Sequence, residues 1–266
     1  MSERCPVCEG AFEYRFSAEV LHRYQVKYFQ CPRCGLLQTE KPYWLDEAYD
    51  EAIAETDTGL VRRNLGISMR LASVLYFLFD RDGRYVDAAG GYGLLARLMR
   101  DIGFDFYWSD KHCANLLARG FDAEKAERPL AAVTAFEVIE HVHDPLTFLR
   151  DLMDQLQTRT VIFSTTLFEG APPLPGKWWY YAHETGQHVS FYQRRTLEAI
   201  AERLGMRLFS HGWMHMVTDR NFRPVAFSVL AGKLGALLSY YVKLNMTTRA
   251  VSDHDLLVRR GREARS

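Results

Sequence analysis

The sequence predicts an α/β fold of the doubly wound kind, a parallel sheet covered by helices on both faces, with a small metal-stapled segment at the N-terminus. Three observations carry that prediction. Strand-like and helix-like segments alternate from Arg84 onward, the first strand runs into the glycine-rich turn of "VDAAGGYGLLARLMR", and the first 41 residues hold two Cys-x-x-Cys pairs. Alternation of this kind gives a parallel sheet because parallel neighbours need a crossover, and the crossover helices then cover the faces.

The chain has 266 residues, room for one sizeable domain and an appendage. Its 48% hydrophobic and 25% charged residues are the proportions of an ordinary globular protein. Lys plus Arg equals Asp plus Glu at 33 each, so no global field draws nucleic acid to the surface. The opening "MSERCPVCEG" has no apolar run of the signal-peptide kind, which leads us to expect a cytoplasmic protein. In that setting paired cysteines point to metal in preference to disulfides.

Residues 1–41 read as a zinc ribbon. Cys5 and Cys8 form one knuckle, Cys31 and Cys34 the other, and the 22 residues between them alternate as a hairpin. Each turn brings two thiolates to one ion, and two turns close a tetrahedral four-sulfur site with no open position, so the expected Zn²⁺ is structural. A segment this short has little core, and metal binding supplies its folding energy. Six Lys or Arg against five Asp or Glu over these residues favour a packing or capping role over nucleic-acid binding.

Residues 42–82 predict a helical arm lying over a bound cofactor. It consists of one helix in "YWLDEAYDEAIAE" and a second in "DTGLVRRNLGISMRLASVLYFLF", capped by Thr58 or Asp57. Residues 83–222 are the expected core. Its strands are "RYVDA", "FDFYWSD", "LAAVTAF", "TVIFSTTLF" and "MRLFSHGWMHMV"; its helices are "YGLLARLMRDIG", "CANLLARG", "DPLTFLRDLMDQL" and "RRTLEAIAERLG". Residues 223–266 are an extension, either one helix or a helix preceded by a strand "RPVAFSVL" that completes the sheet. Ser228, Gly232, Gly235 and Ser239 make a small, mildly polar helical stripe with Leu230, Leu234, Leu238 and Tyr241 opposite. Lys233 in its middle favours a helix packed on the protein or on a second copy of the chain over an interfacial or spanning membrane helix.

In a doubly wound sheet, ligands bind at the carboxyl ends of the strands. The first strand ends at Asp87, ahead of Ala89, Gly91 and Gly93, and the second ends at Asp110. Glycines let a turn pass close under a ligand, and an acid about 20 residues on accepts ribose hydroxyls, so adenosine is expected. The spacing is not the G-x-G-x-x-G of a pyrophosphate site, and Asp87 repels a pyrophosphate. It attracts a cation, as in S-adenosylmethionine.

The run "VDAAGGYG" resembles the first motif of class I S-adenosylmethionine-dependent methyltransferases. Asp110 matches the acid after their second strand, and "AFEVIEHVHDPLTFLRDL" is similar to the segment after their fourth. The resemblance covers residues 84–215 and implies a Rossmann-like seven-stranded sheet. It also implies that Asp87, Gly91 and Gly93 hold the methionine end, Asp110 the ribose and the surroundings of Asp122 the adenine, with Ala89, Lys111 and Phe136 in the same site. Ala89 departs from the motif, standing where the family has its first glycine. The ribbon resembles that of bacterial sugar C-methyltransferases, whose further C-terminal domain has no counterpart in these residues.

Two segments carry candidate chemistry. In Glu137-Val-Ile-Glu140-His141 the spacing puts two carboxylates and an imidazole on one face of a helix start. The trio is similar to one implicated in divalent-ion binding by ubiquinone-pathway O-methyltransferases, although the same pair also occurs in relatives that use no metal. The long loop "EGAPPLPGKWWYYAHETGQHVSFYQ" offers Trp178, Trp179, Tyr180 and Tyr181 either as walls for an acceptor or as core, and His183 beside them. His188 is the candidate general base, its alternative being a histidine bonded to the loop backbone; Glu140 and His141 are its candidate companions. His112 and Cys113 read as packing beside the ribose, and His211 and His215 as sharing one strand face. The sum is a methyltransferase for a small-molecule acceptor, a nucleotide-linked sugar or secondary metabolite, with oxygen favoured. An RNA or protein methyltransferase, or a non-catalytic adaptor that binds through its ribbon, is the alternative.

Overall fold

The computed structural model describes residues 4–48 and 57–263. In chain order the strands are β1 (Glu13–Val20), β2 (Tyr24–Gln30), β3 (Leu37–Thr39), β4 (Arg84–Ala88), β5 (Asp105–Ser109), β6 (Ala132–Ala135), β7 (Thr160–Ser164), β8 (Ser190–Phe191), β9 (Arg207–His211) and β10 (Met214–Thr218). The helices are α1 (Leu45–Ala48), α2 (Leu60–Leu78), α3 (Leu94–Ile102), α4 (Pro145–Leu156), α5 (Arg194–Arg203), α6 (Pro224–Ala231), α7 (Lys233–Asn245) and α8 (Ala250–Glu263). Two compact units result: Met1–Glu55 with Ala135–Gln155 and Arg159–Asn221, and Thr56–Thr134 with Leu156–Thr158 and Phe222–Ser266. Of the boundaries expected at residues 41, 82 and 222, the last falls beside the change of unit at Asn221–Phe222, and the other two lie inside units.

In the first unit, β1, β2, β3 and β8 form an antiparallel sheet. The pairing of Leu37 with Phe191 and of Gln38 with Ser190 joins the ribbon to the segment around His188. Buried Val7 and Leu36 pack with Leu149, Val161, Leu197 and Ile200, while Val26, Tyr28 and Leu37 pack with Tyr180, Tyr181, Val189 and Phe191. The ribbon is therefore part of a larger core, and burial there adds to whatever its cysteines contribute. β10 pairs antiparallel with both β7 and β9. The sequence suggested one strand over 206–217; instead Met214 pairs with His211, and Gly212, at φ +56, lets the chain turn back. His211 and His215 accordingly lie on different strands. The described strands of the α/β core, β4–β7 with β9 and β10, number six in place of seven: "RPVAFSVL" is helical, and beyond β5 Asp122 makes only an isolated parallel bridge to Trp108.

In the second unit β4 lies between β5 and β6, parallel to both. The crossover after β5 departs from expectation, since "CANLLARG" is not a helix. Asn115 accepts from the Ala118 N–H and donates to the Ala118 carbonyl and to Asp122, a local closure that competes with helical hydrogen bonds. α8 lies there instead: its Asp253 accepts from buried Arg100 of α3 at 2.8 and 2.7 Å, and Leu257 sits against Gly120. Arg100 also reaches Asp105 at 2.9 Å and stacks 3.6 Å from the Phe121 ring. α2 packs on α3, α6 and α7 as a layer of this unit and does not stand apart as an arm. Neither Thr58 nor Asp57 caps it; Asp57 holds Arg63 at 2.9 and 2.7 Å. The expected helix over 43–55 lies mostly outside the described residues.

Candidate active site

The second unit carries the glycine cradle. Asp87 is buried at the end of β4, where Thr134 Oγ1 donates to its Oδ1 at 2.7 Å. Among the described residues no Lys or Arg forms an ion pair with it. Burial first, and Asp110 second, push its carboxyl up to about 7. A buried acid in that state favours a cationic ligand, because a positive charge brought alongside compensates the desolvated carboxylate. Beyond it the chain turns through Ala89 (φ +53), Gly91 (φ +55) and Gly93 (φ +86), which precedes the first turn of α3. A side chain at Gly90 would meet Asp87 Oδ2 at 2.7 Å and Trp108 at 2.9 Å, so backbone and carboxylate are in close approach. Ala89 tolerates the left-handed conformation at a cost of about 1 kcal/mol, the consequence of replacing the motif's glycine.

Asp110 ties the cradle to β5. It accepts the N–H of Gly91 at 2.9 Å with one oxygen and those of His112 and Cys113 at 2.7 and 2.8 Å with the other. These bonds aim the carboxylate and leave acceptor capacity for a hydroxyl. Trp108 Nε1 donates to the Gly91 carbonyl at 2.8 Å, a second brace. Asp122 is held by Asn115 and Lys125, which outweigh burial and lower its carboxyl; Lys111 is exposed. Thr134, Trp108 and Asn115 escaped the sequence reading, since a threonine and a tryptophan in apolar strands look like ordinary strand residues.

The first unit carries a second cluster. Buried Tyr180 donates its hydroxyl to Glu140 Oε1 at 2.8 Å and lies 3.1 Å from Thr165 Oγ1. His188 Nδ1 lies 2.7 Å from the Tyr180 carbonyl; that nitrogen therefore bears the proton, and Nε2 is the basic one. The His141 ring meets His188 edge-on at 4.8 Å. Burial first, then His188, hold His141 well below its usual pKa, so it is neutral at pH 7. One ligand atom each from Glu140, His141 and His188 lie within 4.8 Å of one another. Glu137 does not join them: it is at φ +55, and its carboxylate and N–H both bind Ser164 Oγ, at 2.6 and 2.7 Å. The trio the structure assembles thus replaces the one suggested by spacing.

The aromatic quartet divides. Tyr180 and Tyr181 are core, Trp178 packs against them, and Trp179 is 78% exposed. Tyr181 stacks on His183 at 5.1 Å and donates to the Pro173 carbonyl, so His183 faces an aromatic wall. Phe136 is buried, edge-on to Trp213 at 6.3 Å. His215 is buried between Ser210 and the Thr165 carbonyl, and burial pulls it down to about 4. The four ribbon cysteines are buried and free of disulfides, with Cys5–Cys34 and Cys8–Cys31 sulfurs 3.5 and 3.4 Å apart. All four sulfurs lie within 4.8 Å of one another, compatible with the roughly 3.8 Å separation that 2.3 Å metal–sulfur bonds impose in a tetrahedron.

A family model described as a methyltransferase domain matches residues 64–211, more than half of the chain. None of the curated proteins matches it in sequence. Among solved structures, TnmH is 19% identical, with a TM-score of 0.45 over 66% of this chain and 60% of that one. The mitomycin 7-O-methyltransferase MmcR is 13% identical, with a TM-score of 0.44 over 65% and 59%. The magnesium protoporphyrin IX methyltransferase ChlM from Synechocystis PCC 6803, with bound SAM, is 13% identical, with a TM-score of 0.40 over 66% and 90%. The chain spans about three-fifths of the length of the first two.

Proposed function

Because the chain belongs to the methyltransferase-domain family of class I S-adenosylmethionine-dependent enzymes, we propose that it transfers a methyl group to an oxygen of a small-molecule acceptor, a nucleotide-linked sugar or another secondary metabolite. The observation that carries this reading is Asp87, a buried carboxyl beside the glycine turn with no cationic side chain paired to it among the described residues. S-adenosylmethionine, when bound, supplies an electrophilic methyl on a sulfonium. Asp87 and the turn from Ala89 to Gly93 would hold its cationic end, Asp110 its ribose, and the loop around Asp122, with Lys111, its adenine side.

His188 is the general base. With Nδ1–H donated to the Tyr180 carbonyl, Nε2 would take the proton of the acceptor hydroxyl. Tyr180 is positioned for this by Glu140 and Thr165, and neutral His141 beside His188 adds no charge of its own. Trp178 and Trp179 with His183 offer the flat surface for the acceptor, and buried Tyr181 backs His183. Cys5, Cys8, Cys31 and Cys34 would hold a structural Zn²⁺. The test is release of S-adenosylhomocysteine from S-adenosylmethionine over a panel of sugar nucleotides and phenols. One of these is expected to turn over, and His188→Ala to lower kcat with cofactor affinity kept; turnover at the parent rate in His188→Ala contradicts the assignment.

A second reading is favoured by the convergence of Glu140, His141 and His188. Each histidine shares a ring nitrogen with a backbone carbonyl, His188 with Tyr180 and His141 with Gln187, as metal-ligating histidines do. Here the trio holds a divalent ion that binds the acceptor oxygen. Activity abolished by a chelator and restored by one divalent metal selects this reading over the first.

A further inference from the structure

The C-terminal helix α7 is amphipathic the wrong way round for a globular protein. α7 buries Gly235, Ser239 and Val242 and exposes Leu234, Leu237, Tyr240, Tyr241 and Leu244, with Leu237 65% and Leu244 86% accessible. The inward face is made of small residues: Gly235 leaves no room for a side chain against the Leu230 carbonyl, and its own carbonyl accepts from Ser73 of α2 at 2.6 Å. Packing through Gly and Ser with leucines outward is how helices associate in lipid, where leucine is soluble and close backbone approach holds the contact. The stripe and face read from the sequence divide in the fold: Gly235 and Ser239 turn inward, Leu234 and Tyr241 are exposed, and Leu230 of α6 is buried.

The exposed face extends beyond α7. Phe77 of α2 stacks with Tyr241 at 6.3 Å, and Val225 and Val229 of α6 border a groove of about 730 Å³ with Phe77. Among the described residues no single helix is long and apolar enough to cross a membrane; α6 and α7 together are, but they bend by 78° at their junction. The bend takes the two helices out of one line, which suits a pair lying along an interface in preference to a straight crossing. Charge then selects what covers this face. From Arg223 to Arg249 the chain carries Arg223, Lys233, Lys243 and Arg249 and no Asp or Glu, in a protein whose total charge is zero. Arg223, Lys233 and Lys243 are exposed, and Lys243 lies over the Tyr240 ring at 5.9 Å. Two copies pressed face to face would oppose Lys233 and Lys243 with their equals, with no acid in either segment to pair them. Anionic headgroups complement that charge, and two tyrosines suit the water–lipid boundary.

We infer that α6 and α7 dock the protein on an anionic lipid bilayer, with Leu234, Leu237, Tyr241 and Leu244 in the acyl boundary and Arg223, Lys233 and Lys243 at the headgroups. The docking is monotopic and is independent of the proposed chemistry. The test is flotation of the full chain with vesicles of phosphatidylcholine alone and of equimolar phosphatidylcholine and phosphatidylglycerol. The protein is expected to float with the second and not the first, and Lys233→Glu/Lys243→Glu to weaken binding about tenfold or more. Leu237→Glu/Leu244→Glu is expected to abolish it, with circular dichroism unchanged because both positions are exposed. Equal binding to the two vesicles, no binding to either, or binding kept by both variants overturns the inference. So does a dimer in sedimentation that Leu237→Glu splits while vesicles are ignored, which would assign the face to a second copy.

Discussion

The cradle around Asp87 and the cluster around Glu140 are built by opposite means. In the cradle the backbone does most of the positioning: positive φ at Ala89, Gly91 and Gly93 and the N–H groups of Gly91, His112 and Cys113 set its shape within a span of 27 residues from Asp87 to Cys113, with Trp108 and Thr134 as side-chain braces. In the cluster side chains do it, and Glu140, Thr165, Tyr180 and His188 come from four separate segments. The first arrangement is preorganised by local geometry and is insensitive to most packing changes nearby. The second depends on the ribbon, whose β3 pairs with β8 two residues beyond His188, so a disturbance of the cysteines should reach the base.

That contrast yields predictions of graded size. His188→Ala should cost about 10² to 10⁴ in kcat, the usual contribution of a general base, with S-adenosylmethionine affinity unchanged in calorimetry. A matching loss of affinity would mean that the two regions are not separable. Asp87→Asn should weaken cofactor binding about 100-fold while stabilising the ligand-free protein, because the carboxyl is uncomfortable there. The sign follows from its raised pKa. Asp87 is protonated in the fold up to about 7 and would ionise near 3.8 when unfolded, so its favourable contribution is complete below 3.8 and is lost as pH rises through about 7. Thermal melts of parent and Asp87→Asn should therefore differ least near pH 4 and separate progressively as pH rises to 8, the variant melting higher.

Smaller effects sharpen the same division. Tyr180→Phe removes a hydrogen bond to a carboxylate and should cost about 1.5–3 kcal/mol in denaturant unfolding, with kcat lowered and cofactor affinity intact. Ala89→Gly relieves a left-handed alanine, whose strain of about 1 kcal/mol is partly offset by glycine's greater unfolded-state entropy. A slight stabilisation with unchanged activity is expected; a large loss of affinity would give the Ala89 methyl a role in binding.

How much was legible follows from the same physics. β4, its glycine turn and α3 are local in sequence, and strand, acid, glycines and amphipathic helix could be read directly in that order. The cysteine pairs were equally plain. Glu140, Tyr180 and His188 were each singled out, but nothing in sequence spacing revealed that Tyr180 bridges Glu140 to the His188 loop, or that Glu137 turns to Ser164. Asn115 diverted "CANLLARG" from a helix through one side-chain closure, which propensity does not foresee. Gly212 turned one apparent strand into a hairpin, although "HGW" carried the signal. The direction in which α7 faces depends on what surrounds it, and a periodic stripe cannot tell inside from outside.

The most direct measurement is a calorimetric titration of S-adenosylmethionine at pH 6 and pH 8, with parent and Asp87→Asn, alongside nicotinamide adenine dinucleotide. A cation held by a carboxyl that titrates near 7 predicts affinity about tenfold tighter at pH 8 than at pH 6 in the parent, a much smaller step in the variant, and no dinucleotide binding. Dinucleotide binding, or a pH step that survives Asp87→Asn in full, contradicts it.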